Sequence, residues 1–483
     1  MSLAAEQVES TAGTLKGKIS SNDITTLTVS GTIDASDLDF INNSLTSLKH
    51  LDLSDATITE YRGEKLSNGR NYSNDNTLPE FCLIGSRIET ILLPKGLKCL
   101  SDGCLAASSI TSITLPEGVD SIGTGAFNGC LRLAEADLRL TQITGLPMQA
   151  FKGCTSLTAI ELPNHIQQIS AEAFMGCSSL TEIQFPASLQ IMGDKAFNGC
   201  KTLNDINFTA NLHTVGSEVF TGTALETVDI TVCKSLNHLG DRAFSHCNRL
   251  ETVMMPESLT SFGEGVFFDC NSLTGIVIPA TLTRLTPYMF KGTGISDAGQ
   301  IIRDGILEIG DYALYGNSNI TEATLPGSIN HLGDKALSGL VALTVLDVTG
   351  IQELPELGDD VFEGTAGEGV RLVTTVDMAP IFKTTPQWQE FDITVDENAG
   401  TPAPGSDTIG SLRLRHDGNT LWINAPRAID SITVSDLKGR ITAHATVHGD
   451  TTACISTATI PGGIAIVTVQ YDNATCANIK IIL

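Results

Sequence analysis

Twelve cysteines and nine histidines are the side chains of this sequence best suited to metal, redox or nucleophilic chemistry, and their spacing decides which of these is open to them. Cys130, Cys154, Cys177, Cys200, Cys247 and Cys270 recur at one repeat position, most of them directly after Gly. Stacked repeats place such thiols in a row, one per rung, whereas tetrahedral zinc needs four ligands around one point. The row therefore reads as a ladder of small buried side chains, with redox or metal chemistry as the sharper alternative. Cys454 and Cys476 fall in two strand-like runs near the end and can pair if those strands face each other. Cys82, Cys99, Cys104 and Cys233 stay unassigned, and the pattern suggests packing more than a disulfide framework. His444 and His448 have helical metal spacing, but in a strand four residues separate side chains by about 13 Å. No His-Glu-x-x-His, Gly-x-Ser-x-Gly or phosphate-binding Gly-x-x-x-x-Gly-Lys occurs. The expectation is a non-enzymatic chain with no cofactor and no metal.

Carboxylates are the other abundant chemistry. Lys and Arg number 29 against 55 Asp and Glu, a net charge of −26 that repels phosphate backbones and anionic lipid, so nucleic acid is excluded as a partner. With 41% hydrophobic residues and a mean hydropathy of +0.11 the chain has enough apolar surface to fold. No run reaches the length of about 18 apolar residues that a membrane-spanning helix needs. The opening Met1-Ser2-Leu3-Ala4 lacks the basic-then-apolar layout of a secretory signal and is compatible with a scar where an export signal was trimmed.

The elements that position these groups come from a repeat. An apolar anchor recurs at Phe127, Phe151, Phe174, Phe197, Phe220, Phe244, Phe267, Phe290, Leu314, Leu337 and Phe362, at intervals of 23 to 25 residues. Each unit reads Leu-x-x-Ile-x-Leu-Pro, an aliphatic pair, then Gly-x-x-Ala-Phe-x-Gly-Cys. The first part alternates as a short strand and proline ends it; the second supplies turns and an irregular or short helical stretch. No unit buries its own apolar face, so the units stack. The predicted fold is a leucine-rich repeat solenoid with one parallel strand per repeat of about 23 residues, followed by a small C-terminal antiparallel β-sandwich. The predicted boundaries are a cap with the first strand units over 1–77, the solenoid over 78–364, its C-terminal cap over 365–395, a Pro/Gly-rich linker over 396–408, and the β-sandwich over 409–483.

The Leu-x-x-Ile-x-Leu-Pro and Ala-Phe-x-Gly-Cys wording resembles the BspA-like, Treponema-type leucine-rich repeats of bacterial surface proteins of the Bacteroidetes kind. Leu27 to Asp37 with Leu48 to Ala56 is similar to that family's opening cap, and Arg371-Leu-Val with Trp388 to Ile393 to its closing segment. The last module, with Ile432 to Arg440, Gly463 to Val467 and Ile479 to Leu483, resembles a type IX secretion sorting domain, although Ala465 stands where that family usually has Tyr. The resemblance implies a cell-surface or extracellular protein that binds or adheres to a protein of a host or neighbouring cell.

Side chains flanking the central Ile of each strand point away from the core, toward the expected concave face. In order they are Glu135 and Asp137, Ala159 and Glu161, Glu182 and Gln184, Asp205 and Asn207, Thr227 and Asp229, Thr252 and Met254, Gly275 and Val277. Acid gives way to apolar. One reading is the solvated surface of an acidic protein; the other is a ligand face that steers cationic groups and adds an apolar contact at Met254 and Val277. Calcium is a lesser option, since no compact Asp-rich loop is present. Glycan capture is the alternative function, weakened because these positions hold no Trp or Tyr.

Overall fold

A computed structural model describes residues 5–367, 369–396, 413–416, 420–436, 441–456, 464–471 and 476–482. The chain divides into two compact units, Met1–Ala399 and Gly400–Leu483.

The first unit opens with strands Ala5–Ser10, Thr26–Ile33 and His50–Ile58, which pair in parallel and pass the ladder on to Thr90–Leu92. A helix at Ala35–Ser44 begins on a capping box: Asp34 accepts from the backbone of Ser36 and Asp37, and the Asp37 side chain returns the bond. The Asp37 carboxylate is buried and also takes the amides of Gly13 at 2.8 Å and Leu15 at 2.9 Å. Burial pushes its pKa up, against the opposing pull of those amides.

From there each coil follows the repeat. The Ile-centred segment forms the expected parallel strand: Glu135–Asp137 lies between Ser112–Thr114 and Ala159–Glu161, with Glu135 opposite Ser112 and Ala159. The expectation of one strand per coil is corrected to two. The aliphatic pair before the Gly turn is itself a two-residue strand, and six successive ones, from Gly145–Leu146 to Ser261–Phe262, form a parallel sheet. Two residues are too few for alternation to show in sequence, which is why this strand was invisible.

The turn segment, expected to be irregular or helical, pairs coil to coil as well. Glu172 N donates to Asp194 O at 2.8 Å, Phe174 N to Ala196 O at 2.8 Å and Gly176 N to Asn198 O at 2.8 Å. Glu172 and Lys195 take left-handed backbone, both with φ of 58°; the inter-coil bonds offset that strain. Coils approach so closely that a Cβ on Gly193 would lie 2.6 Å from Ala171 N.

The core is a column of rings. From Phe127 to Phe290 every phenylalanine of the repeat position is 0% exposed, and neighbours stack with planes within 13°. Their centroids are 5.0–5.9 Å apart, within the roughly 4.5–7 Å range of favourable aromatic pairs. At the C-terminal end Arg371–Thr374 and Asp392–Val395 close a separate parallel sheet begun by Glu322–Thr324 and Val345–Asp347, and Trp388 covers the last ring, Phe362, at 4.7 Å.

In the second unit the described strands, Arg413–His416, Thr420–Asp436, Ile441–Ser456, Ile464–Tyr471 and Cys476–Ile482, form one antiparallel sheet. The runs read separately at Leu421–Ile423 and Ile429–Val434 belong to one long strand whose pairing slips between Asn424 and Ile429. Pro426 sits in that slip, where its missing N–H costs no ladder bond. Leu421, Ile423, Ile432, Val434, Val467 and Val469 make its apolar core. The turns at Lys438-Gly439 and Pro461 to Gly463, and the linker beyond Asp396, lie outside the described residues.

Candidate binding face

Strand register sorts the outward residues into two columns. One runs Glu135, Ala159, then Glu182 opposite Asp205, then Thr227, Thr252 and Gly275 in register; the other holds Asp137 opposite Glu161, then Asp229, Met254 and Val277 in register. Gln184 and Asn207 follow Glu182–Ile183 and Asp205–Ile206 on the second side. Of the inward residues between them, Ala136, Ile183, Val228, Val253 and Ile276 are buried and Ile160 and Ile206 are half-buried.

The structure separates residues the fold uses from residues it leaves open. Asp137 is held by Arg139, whose Nε and Nη2 reach its two oxygens at 3.0 and 2.8 Å; that guanidinium keeps its carboxyl below the usual carboxylate range. Asp229 closes its strand by accepting from Thr231 N at 3.0 Å and Thr231 Oγ1 at 2.6 Å. Asn207 bridges coils, accepting from Phe185 N at 2.7 Å and donating to Phe185 O at 3.0 Å. These three are structural caps. By contrast Glu135, Glu161, Glu182, Gln184 and Asp205 are exposed, and their side chains make no hydrogen bond or ion pair among the described residues. Glu182 and Asp205 face each other as like charges on paired strands, an arrangement that costs stability unless a cation joins them. Thr252 is half-buried, Gly275 buried, and Met254 and Val277 are 37% and 57% exposed. After Val277 the sheet stops: the turn Ala298–Gln300 replaces a strand, and Gln300 Oε1 takes the amide of Ile276 at 3.0 Å.

The cysteine row is buried as expected, but packing is only half of its role. Cys154, Cys177, Cys200, Cys247 and Cys270 each donate Sγ–H to the carbonyl of the phenylalanine in the preceding coil at 3.0–3.2 Å, and Cys130 does so to Leu105 O at 3.1 Å. Where the row lacks Cys, Asn317 and Thr365 donate to the carbonyls of Phe290 and Leu337 at 2.9 and 2.7 Å, whereas Thr223 and Thr293 turn to the phenylalanine carbonyl of their own coil and Leu340 carries no donor. At these positions a small buried donor gives a carbonyl that already accepts a backbone N–H, such as Phe151 O from Cys154 N at 3.1 Å, a second bond from the next coil. Sequence reasoning missed this, although the Asn and Thr substitutes were a readable signal. Among the described residues no three His, Cys, Asp or Glu are placed to hold a metal. Cys454 is free and exposed on a strand that pairs with Thr420–Asp436, while Cys476 lies on the strand paired to Ile464–Tyr471, so their strands are not neighbours. His444 does lie in a strand, its Nδ1 3.0 Å from Thr433 Oγ1.

Burial pushes the Cys177 thiol up to about 12 and Cys200 well above its usual range. All six cysteines of the row are 0% exposed, so a reagent reaches them only when the coils open. In the native protein an aromatic disulfide reagent is expected to label Cys454 quickly and the row from Cys130 to Cys270 only as fast as the solenoid unfolds. Mass spectrometry of timed samples reads this, and row labelling at the Cys454 rate would refute the buried-donor assignment.

The fold and the face together define a parallel-strand repeat scaffold with a continuous outward surface. The sequence matches the BspA type leucine-rich repeat region in six copies, over 40–144, 76–187, 140–251, 167–297 and 237–368, and the chain belongs to this family. No curated protein matches the chain. A crystallised leucine-rich repeat protein from Bacteroides ovatus is similar at 18% identity and a TM-score of 0.44, covering 78% of this chain and 86% of that one. The T. pallidum leucine-rich repeat protein is 32% identical over 34% of this chain and 78% of that one, with a TM-score of 0.32. A leucine-rich cell surface protein from Faecalibacterium prausnitzii is 21% identical with a TM-score of 0.33, over 53% of this chain and 84% of that one. The matching family is a repeat scaffold, and no helix among the described residues is long and apolar enough to cross a membrane.

Proposed function

We propose that this chain is a non-enzymatic, cell-surface or secreted binding protein whose strand face takes an extracellular protein, cationic where it meets Glu135, Glu161, Glu182 and Asp205 and apolar where it meets Met254 and Val277. The observation that carries the reading is the set of unpartnered carboxylates, with Glu182 directly opposite Asp205, on the outward side of successive coils whose strands form three short parallel sheets, the last of which carries exposed Met254 and Val277. Such a surface steers a basic partner at long range and offers an apolar contact on arrival. In this reading residues 396–408 are a linker, and the module over 409–483, whose described strands form a single antiparallel sheet and not the expected sandwich, is a sorting-type module that places the protein on the surface.

The test is a screen of the full chain against extracellular-matrix proteins beside a glycan array, followed by Glu161→Lys, Glu182→Lys and Asp205→Lys together. Exposed positions of this kind change stability by only about 0.5 kcal/mol each, so the variant is expected to fold. Affinity for the captured protein is expected to fall at least about tenfold, with a weaker salt dependence. Unchanged affinity would remove the strand face from the mechanism.

A further inference from the structure

Lys291 breaks the rule that the other lysines of the turn segments follow. Lys152 directly follows its core phenylalanine and pairs at 2.6 Å with Glu172, the left-handed residue of the next coil. Lys195 meets Glu218 at 3.5 Å, and Lys335 meets Glu363 at 2.6 Å. Lys291 also directly follows its core phenylalanine, yet the left-handed residue of the next coil is Tyr312, with φ of 55°. Its ammonium has no ion pair or hydrogen bond among the described residues and instead sits over four rings: Tyr315 at 4.8 Å, Tyr312 at 5.4 Å, Phe268 at 5.5 Å and Tyr288 at 5.6 Å from the centroids.

The rings form an organised surface. Tyr288 and Tyr312 stack at 5.1 Å with planes 6° apart, Phe268 meets Tyr288 edge-on at 6.5 Å, and Tyr315 tilts against Tyr312 at 5.6 Å. All four rings and Lys291 are half-buried. Three of the six tyrosines of the chain stand here, on two consecutive coils, and their hydroxyls have no partner among the described residues. With 55 acidic residues available, a cation given π-faces in place of a carboxylate keeps its charge for something outside the chain.

We propose that this cluster binds an acidic sugar of the uronic acid class. The carboxylate meets the Lys291 ammonium, the sugar hydroxyls meet the phenol groups of Tyr288, Tyr312 and Tyr315, and the C–H edges of the sugar ring lie against the aromatic rims. Hydroxyl-rich chemistry around one cation, without an enclosed apolar pocket, favours a sugar over the side chains of an acidic peptide. The site lies on the turn segments and shares no residue with the strand face, so it stands or falls independently of the protein-binding reading.

The experiment is a calorimetric titration of the full chain at low salt with a hyaluronan tetrasaccharide, beside neutral chitotetraose and a tetraglutamate peptide. Binding of the hyaluronan fragment is expected at about 1 mM or tighter, with chitotetraose and tetraglutamate silent. Lys291→Met, which keeps the stem and loses the charge, is expected to weaken it at least about tenfold, and Tyr315→Phe, which keeps the ring, by a smaller factor. Thermal melts check that both variants fold, and Tyr315→Phe carries the test should Lys291→Met fail that check. No binding by the parent chain, undiminished binding by the folded variants, or equal binding of tetraglutamate would overturn the proposal.

Discussion

Phe197→Ala is expected to destabilise the solenoid by about 3–5 kcal/mol, the range for emptying a buried aromatic position. Phe197 is 0% exposed, stacked between Phe174 at 5.2 Å and Phe220 at 5.6 Å, with Phe185 tilted against it at 5.6 Å. Its removal takes away the ring's own burial and one face of support for both neighbours, each such contact adding about 0.5–1.5 kcal/mol. Coils above and below are pinned by continuous backbone ladders and cannot close the gap. Phe197→Leu should cost far less, because Leu314 and Leu337 occupy the same position elsewhere in the column and are buried there. Urea unfolding gives the magnitude. Hydrogen exchange gives the location, with protection falling first in the coils that contain Phe174, Phe197 and Phe220, as nearest-neighbour stability requires. A loss below about 1 kcal/mol would mean that the column is not the main source of cohesion between coils.

The second large effect is at the C-terminal end. Trp388 is fully buried against Phe362 at 4.7 Å, Phe382 at 5.0 Å and Phe391 at 6.5 Å, and it ends the column that would otherwise open to water. Gln387 beside it clamps the last coil, accepting from Val361 N at 2.7 Å and donating to Gly358 O at 2.8 Å. Trp388→Ala is expected to cost about 3–5 kcal/mol and to unfasten Arg371–Thr374 and Asp392–Val395 from the sheet, seen as loss of exchange protection in those two strands. Trp388→Phe is the informative partner. The indole N–H is buried without a hydrogen-bond partner, so Phe loses ring volume but relieves an unsatisfied donor worth about 1–3 kcal/mol. A stability close to the parent is therefore expected for it. If Trp388→Ala left both strands protected, Trp388 would not be the closing element.

Much of this architecture can be read from one chain because a solenoid writes its core as a period. The interval of 23 to 25 residues places one Phe or Leu in every coil, and the Ile-centred alternation gives the first strand and its outward columns. The second strand was hidden by its two-residue length, and the separate runs around Pro426 proved to be one strand bent at a slip in register. In the candidate face the outward direction of every column residue was legible, but availability was not. Asp137, Asn207 and Asp229 read like Glu161 or Asp205 in the sequence, yet Arg139, Phe185 and Thr231 occupy them.

Sequence alone determined that the chain is an acidic repeat scaffold of the BspA type with its phenylalanines inside, since burial in a solenoid depends on position within one coil. Tertiary structure alone decided which groups are spent and which are open, because that depends on the residue of the next coil that lands alongside. The thiol that finds a carbonyl, the paired Lys152 and the ring-surrounded Lys291 all arise from contacts between residues some twenty or more positions apart. Only stacking of the coils brings them within reach of one another.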